Sequence, residues 1–178
     1  TALVTGAGCI GLVSMMALKA RGVTTVYVVD VMESRLKKAK ELGANEVIDA
    51  SKEDVVQRLS ELTGGRGIDL VIETSGSEAV AGQAVDAARK GSTFVWVGYS
   101  SDGSMKLPMG AALDKELTFK TVFRYRHIYP LAIRAVSEGI VNVKGIVSNI
   151  FDFDDIQRAM DLSVSDKKNI VKSVVKIR

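Results

Sequence analysis

The feature that most constrains this chain is one turn, Gly6-Ala7-Gly8-Cys9-Ile10-Gly11, set directly after the apolar run Ala2-Leu3-Val4-Thr5. The three glycines have separate jobs between a strand and a helix. Gly6 permits the sharp turn, Gly8 keeps a Cβ out of the path of a pyrophosphate, and Gly11 lets the helix pack closely on the strand. A helix opening on such a turn aims unpaired N–H groups, with roughly half a positive charge, at an anion. The G-x-G-x-x-G spacing alone is weak evidence, because glycines mark any tight turn. Its context strengthens it. Helical spacing follows over Ile10–Ala20, and the next strand, Val26-Tyr27-Val28-Val29, ends on Asp30, 19 residues after Gly11. A carboxylate there can accept both hydroxyls of an adenosine ribose and repels a 2′-phosphate, which points to NAD rather than NADP. A helix cap is the plainer role for Asp30. Arg35, on the segment that follows, can stack its guanidinium on the adenine, or simply be a solvated charge near Glu33.

The rest of the chain alternates in the same way. Helices are expected over 33–42, 52–62 (with Ser51 as N-cap) and 78–88. Strands are expected over 46–48, 70–72, 93–97 and 117–122, with glycine turns at Gly43 and 63–67 and a loop over 98–103. This β/α rhythm requires a parallel sheet with helices on both faces: an α/β, Rossmann-type doubly wound sheet of six strands over residues 1–139. A helix over 129–137 ends at Gly139. Residues 140–178 then read as a β-α-β tail, with strands near 146–151 and 170–177 around a helix over 154–162.

Composition removes several classes of function. One cysteine and one histidine cannot build a zinc finger or a disulfide framework, so a metal site made by this chain would need carboxylates. The net charge is only +3. The basic surplus lies around Lys120, Arg124, Arg126 and Arg134 and along the tail from Lys167 to Arg178, interleaved with apolar residues as on a solvated face; no nucleic-acid motif accompanies it. Thr1–Leu18 carries no charge, yet its glycines, threonines and serine argue against a membrane span, and it lacks a signal peptide's basic start. A cytoplasmic location is the default. There is no Walker phosphate loop, no G-x-S-x-G elbow, no Tyr followed four residues later by Lys, and no calcium loop. Cys9 suits the turn as a small residue. His127, the only imidazole available as a general base, sits in the basic aromatic stretch Phe123–Pro130 and reads more simply as a surface residue.

Together the glycine turn, Asp30 with Arg35, Leu42-Gly43-Ala44, Gly64-Gly65-Arg66-Gly67-Ile68-Asp69, Glu73-Thr74-Ser75-Gly76, Val97-Gly98-Tyr99 and Phe123-Arg124-Tyr125 stand in a familiar order. The whole chain resembles the C-terminal, NAD-binding half of a zinc-dependent medium-chain alcohol or polyol dehydrogenase, nearest the sorbitol and xylitol branch. Cys9 stands where relatives usually have Pro. The resemblance implies that Ile10 and Gly11 cover the pyrophosphate and that Thr74 and Ser75 lie near the cofactor's central ribose. It implies that Val97, Gly98 and Tyr99 present backbone groups to the nicotinamide carboxamide, and that Phe123 lines the ring. Arg124 and Tyr125 would reach a polyol or alcohol substrate. Zinc is expected only in the full-length parent, held by an N-terminal catalytic domain, so no catalytic or metal-binding residue is expected within this chain. The start at Thr1, in a strand and without an initiator Met, is expected of a piece of a longer protein. The tail would join that absent domain, and the 117–122 strand would pair edge to edge in a homodimer or higher oligomer. Two alternatives differ in chemistry: a zinc-free quinone or enoyl reductase of the same superfamily, and a stand-alone NAD-binding module without catalysis.

Overall fold

In a computed structural model that describes residues 1–166 and 168–177, six parallel strands form one sheet. Lys167 and Arg178, the two ends of the basic tail, lie outside the described residues. The strands are β1 (Ala2–Thr5), β2 (Val26–Asp30), β3 (Glu46–Asp49), β4 (Ile68–Glu73), β5 (Ala88–Trp96) and β6 (Thr118–Thr121), in spatial order β3-β2-β1-β4-β5-β6. The chain winds outward from β1 in both directions, so the connections on either side of β1 diverge and leave a crevice at its carboxyl end. Register brings three strand ends level there: Thr5 lies beside Val29 on β2 and Glu73 on β4.

Strict alternation of side chains sends the central strands' apolar residues to two faces. Leu3, Tyr27, Val29, Val71 and Phe94 pack under α3 (Val55–Leu62), α4 (Glu78–Ala87) and α5 (Met109–Asp114). Ala2, Val4, Val26 and Val28 pack on the other side, under α1 (Cys9–Ala20) and α2 (Glu33–Glu41). Burial on both faces explains why β1 and β2 read as continuous apolar runs. Helix α1 buries Leu12, Met15 and Met16, at i, i+3 and i+4 spacing, against this second face. Each such side chain contributes about 1.5–3 kcal/mol. No described helix is long and apolar enough to cross a membrane.

Beyond β6 come α6 (Tyr129–Ser137), a 3-10 turn at Val143–Ile146, β7 (Asn149–Asp152), α7 (Ile156–Ser165) and β8 (Ser173–Lys176). Strands β7 and β8 pair in parallel as a separate two-stranded sheet, with α7 as the crossover. Val141 and Ile146 join the core under α1, and Gly145 packs so tightly that a Cβ there would fall 2.7 Å from a Leu42 methyl. Helix α6, by contrast, buries no residue.

Three local expectations are corrected, and one helix appears that was not expected. Ser51 is not the N-cap of α3: Asp49 draws the Ser51 amide and hydroxyl into its own turn, at 3.0 and 2.5 Å, and Asp54 caps the helix by accepting the Gln57 amide at 2.9 Å. Helix α5, six residues long, is too short for a periodic signal; Ala112 anchors it in the core. The strand near 146–151 starts only at Asn149, because Asn142 holds the Gly145 amide in the preceding turn. The final strand starts only at Ser173, because the Asn169 and Ile170 amides are tied back to the Asp166 carbonyl.

Candidate functional site

The crevice at the carboxyl ends of β1, β2 and β4 holds a cavity of about 280 Å³, lined among others by Gly6, Gly8, Asp30, Arg35, Thr74 and Ser75. The turn that forms its floor is set by backbone geometry. Gly6 has φ +89°, a left-handed conformation that favours glycine, and its N–H donates to Val29 O at 2.7 Å. At Gly11 a Cβ would lie 1.7 Å from Gly6 O, so only glycine lets the first turn of α1 sit on the loop. Gly8 is open, with only the Arg35 guanidinium as near as 4.0 Å to where its Cβ would be. Gly8 is also the N-cap of α1: it has no side chain to cap the helix, and no acidic residue occupies the first turn. Ile10, in that turn, is exposed. The positive end of a twelve-residue helix therefore faces the cavity without a protein anion upon it.

Asp30 stands on the same crevice. Its Oδ2 accepts the Ala7 amide at 2.6 Å, which ties the tip of β2 to the glycine turn, while Oδ1 accepts the amides of Val31 and Met32 at 2.8 and 2.9 Å. These three bonds hold the carboxylate in a fixed orientation. The Thr74 hydroxyl is turned inward, donating to Thr5 O at 2.7 Å, and the Ser75 hydroxyl donates to Glu73 at 2.5 Å. These two residues thus line the cavity with hydroxyls already engaged.

A second cavity of about 370 Å³ is bounded by Trp96, Gly98, Tyr99, Met105, Leu107 and Thr121, at the carboxyl ends of β5 and β6. The N–H groups of Val97 and Gly98 both donate to Glu73 O at 2.9 Å, and Gly98 O accepts the Trp96 indole at 2.8 Å. Tyr99 is largely exposed. On the rim, Asp102 accepts from the Ser104 amide and from the hydroxyls of Ser100 and Ser104, each at 3.1 Å. These bonds, the Ser104 amide first, hold its carboxyl below the usual carboxylate range. Phe123, Arg124 and Tyr125 follow β6, just after Thr121 on the wall of the second cavity, and line neither cavity themselves. The Arg124 guanidinium sits 4.9 Å from the Phe123 ring centre, and Tyr125 packs edge-on against Tyr129 at 5.4 Å. The residue that motif spacing left without a role is Glu73, whose bonds join both cavities; its signal was an acid closing an apolar strand. No group of three or more His, Cys, Asp or Glu that could hold a metal ion occurs among the described residues.

Known proteins resemble this chain in sequence and fold. Residues 9–138 match the family described as zinc-binding dehydrogenase. The zinc-type alcohol dehydrogenase-like protein YdjJ of Escherichia coli K12 is 40% identical over 98% of the chain, and the sorbitol dehydrogenase of Bacillus subtilis 31% identical over 98%. In each case the chain spans 50% of the relative's own length. An alcohol dehydrogenase of Escherichia coli CFT073, crystallised with NADH, superposes with a TM-score of 0.91 at 29% identity, over 99% of this chain and 52% of that one.

Proposed function

Because the chain belongs to the zinc-binding dehydrogenase family, we propose that it is the NAD-binding half of an oxidoreductase that moves hydride from a polyol or secondary alcohol to NAD⁺. The observation that carries this reading is the joint geometry of the glycine turn and Asp30: an uncapped helix N-terminus for the pyrophosphate, and beside it a carboxyl group fixed by the Ala7 amide for the ribose. Gly6, Gly8, Ile10 and Gly11 would bound the pyrophosphate, with Asp30 and Arg35 at the adenosine. Thr74 and Ser75 would lie at the central ribose through their backbone and side-chain carbon surfaces. Val97, Gly98, Tyr99 and Phe123 would surround the nicotinamide end, with Arg124 and Tyr125 toward the substrate. When bound, NAD supplies the hydride acceptor, and this chain's task is to hold and orient it.

Zinc belongs, in this proposal, to the half of the relatives that the chain does not span, and residues 140–178 belong with that half. The chain by itself would bind nucleotide without oxidising alcohols, in the cytoplasm. A polyol substrate is favoured by the sorbitol dehydrogenase relatives and by Arg124, whose fixed fork of donors suits neighbouring hydroxyls.

Calorimetry with NAD and NADP tests the cofactor assignment. The chain should bind NAD at least about tenfold more tightly than NADP, and Asp30→Ala should abolish that preference. Failure to bind NAD, or alcohol turnover by the chain alone, would refute the proposal. The outer edge of β6 is the proposed dimer contact. All four of its residues are exposed, and Val122 N donates to Trp96 O at 2.8 Å, so the neighbouring Thr121 N–H points to the open edge. Thr121→Pro removes that donor and should leave a monomer in sedimentation.

A further inference from the structure

Strand β4 ends on Glu73, the only buried acid among the described residues. A carboxyl group kept inside a protein needs donors for its oxygens, and those of the Glu73 carboxyl come from β1 and from the turn after β4. Its Oε1 accepts from Ser75 N at 2.8 Å, Gly76 N at 3.0 Å, Ser75 Oγ at 2.5 Å and Thr5 Oγ1 at 3.3 Å. Its Oε2, without a hydrogen-bond partner among the described residues, lies against Gly98, where a Cβ would fall 2.3 Å from it. Its main-chain oxygen takes the amides of Val97 and Gly98. The two loops meet at Gly76, where a Cβ would fall 2.4 Å from Tyr99 O. One residue thus grips the turn after β4, which lines the first cavity, and the loop after β5, which lines the second. Asp30, whose bonds run to Ala7, Val31 and Met32, lies outside this knot.

We infer that Glu73 is a positioning residue: it fixes the spacing between the Ser75–Gly76 turn and the Gly98–Tyr99 loop, and thereby the shape of the nicotinamide half of the crevice, without touching the dinucleotide. The inference rests on the reading that NAD crosses the crevice. It predicts a defect confined to one half of the ligand.

Calorimetry with NADH and with AMP, on the chain, Glu73→Gln and Gly98→Ala, tests it. Glutamine keeps the outline of the side chain but turns one acceptor oxygen into a two-proton donor beside the Gly98 backbone. Alanine at 98 presses on Oε2 from the other side. Both variants should lose about tenfold in NADH affinity, the scale of one buried polar group left unsatisfied or displaced. AMP affinity should hold within about twofold, which also shows that each variant is folded. The emission of bound NADH, which reports the surroundings of the reduced ring, should move toward that of free NADH. Unchanged NADH affinity in both variants overturns this inference alone. Equal losses for AMP and NADH also overturn it, since a general structural defect would produce them. If the unaltered chain binds no NADH, the reading of the crevice falls first and this inference with it.

Discussion

Val28 and Val29 of β2 are buried, while Val174 of β8 is 38% exposed, although both strands are short, parallel and valine-rich. The difference lies in neighbours. Strand β2 has β1 on one side, β3 on the other, and helices over both faces. Strand β8 has one partner strand, and α7 is its main helical cover. The sheet is covered on both faces, so its residues fix one another, whereas the tail is a motif attached to it through Val141, Ile146 and the packing around Gly145. Apolar composition makes a strand possible, and coverage makes it stable.

The sharpest way to break that comparison is to cut equal holes in the two regions. Phe94 is fully buried, stacked 5.6 Å from Trp96 and 5.2 Å from Phe119, ring centre to ring centre. Phe94→Ala should cost about 3–5 kcal/mol in urea unfolding, the range for removing a buried aromatic ring. Ile150, in β7, is 70% exposed, and Ile150→Ala should stay within about 0.5 kcal/mol. A large loss at Ile150 would mean that some surface covers the tail, and the contrast between the regions would vanish.

The same contrast governs what the sequence disclosed. Strands β1 and β2 announced themselves: the runs at 2–5 and 26–29 match them almost residue for residue, because a strand covered on both faces has few polar positions to blur its limits. Asp30 was legible because its spacing from Gly11 is dictated by one helix and one strand. Glu73 was not, since its bonds to Thr5 and Gly98 join segments that only the folded sheet brings together. The cap of α3 was misplaced for a local reason: Ser51 and Asp54 are both good caps, and the turn around Asp49 decides between them. In the tail the strand limits depend on side chains that tie off turns, Asn142 above all, which hydrophobic periodicity does not register.

Glycines sharpen the comparison at a smaller scale. Gly11→Ala places a methyl group 1.7 Å from Gly6 O, against backbone that cannot yield. It should cost about 1–3 kcal/mol and remove NADH binding together with the turn. Gly139 also has a positive φ, +72°, but a Cβ there meets nothing within 4 Å. Gly139→Ala should cost about 1 kcal/mol through backbone strain alone and leave NADH affinity unchanged. Thermal unfolding paired with a nucleotide titration separates the two outcomes. A loss of binding in Gly139→Ala would show that the junction with the tail helps to shape the crevice.

The smallest effect concerns helix starts. Helix α3 begins with a cap made by a side chain, Asp54 to the Gln57 amide at 2.9 Å, whereas α7 begins at Asp155 with no side-chain cap bond. Asp54→Ala should lose about 1 kcal/mol, the usual worth of such a bond. Asp155→Ala removes no cap bond and surrenders only the attraction of a carboxylate for the helix N-terminus, about 0.3–1 kcal/mol at low ionic strength and less in salt. Measuring both variants at low and high salt separates the two causes. The Asp54 loss should persist in salt, because a hydrogen bond carries it, while the Asp155 loss should fade. If both fade together, the cap of α3 contributes only as a charge, and the two regions begin their helices in the same way.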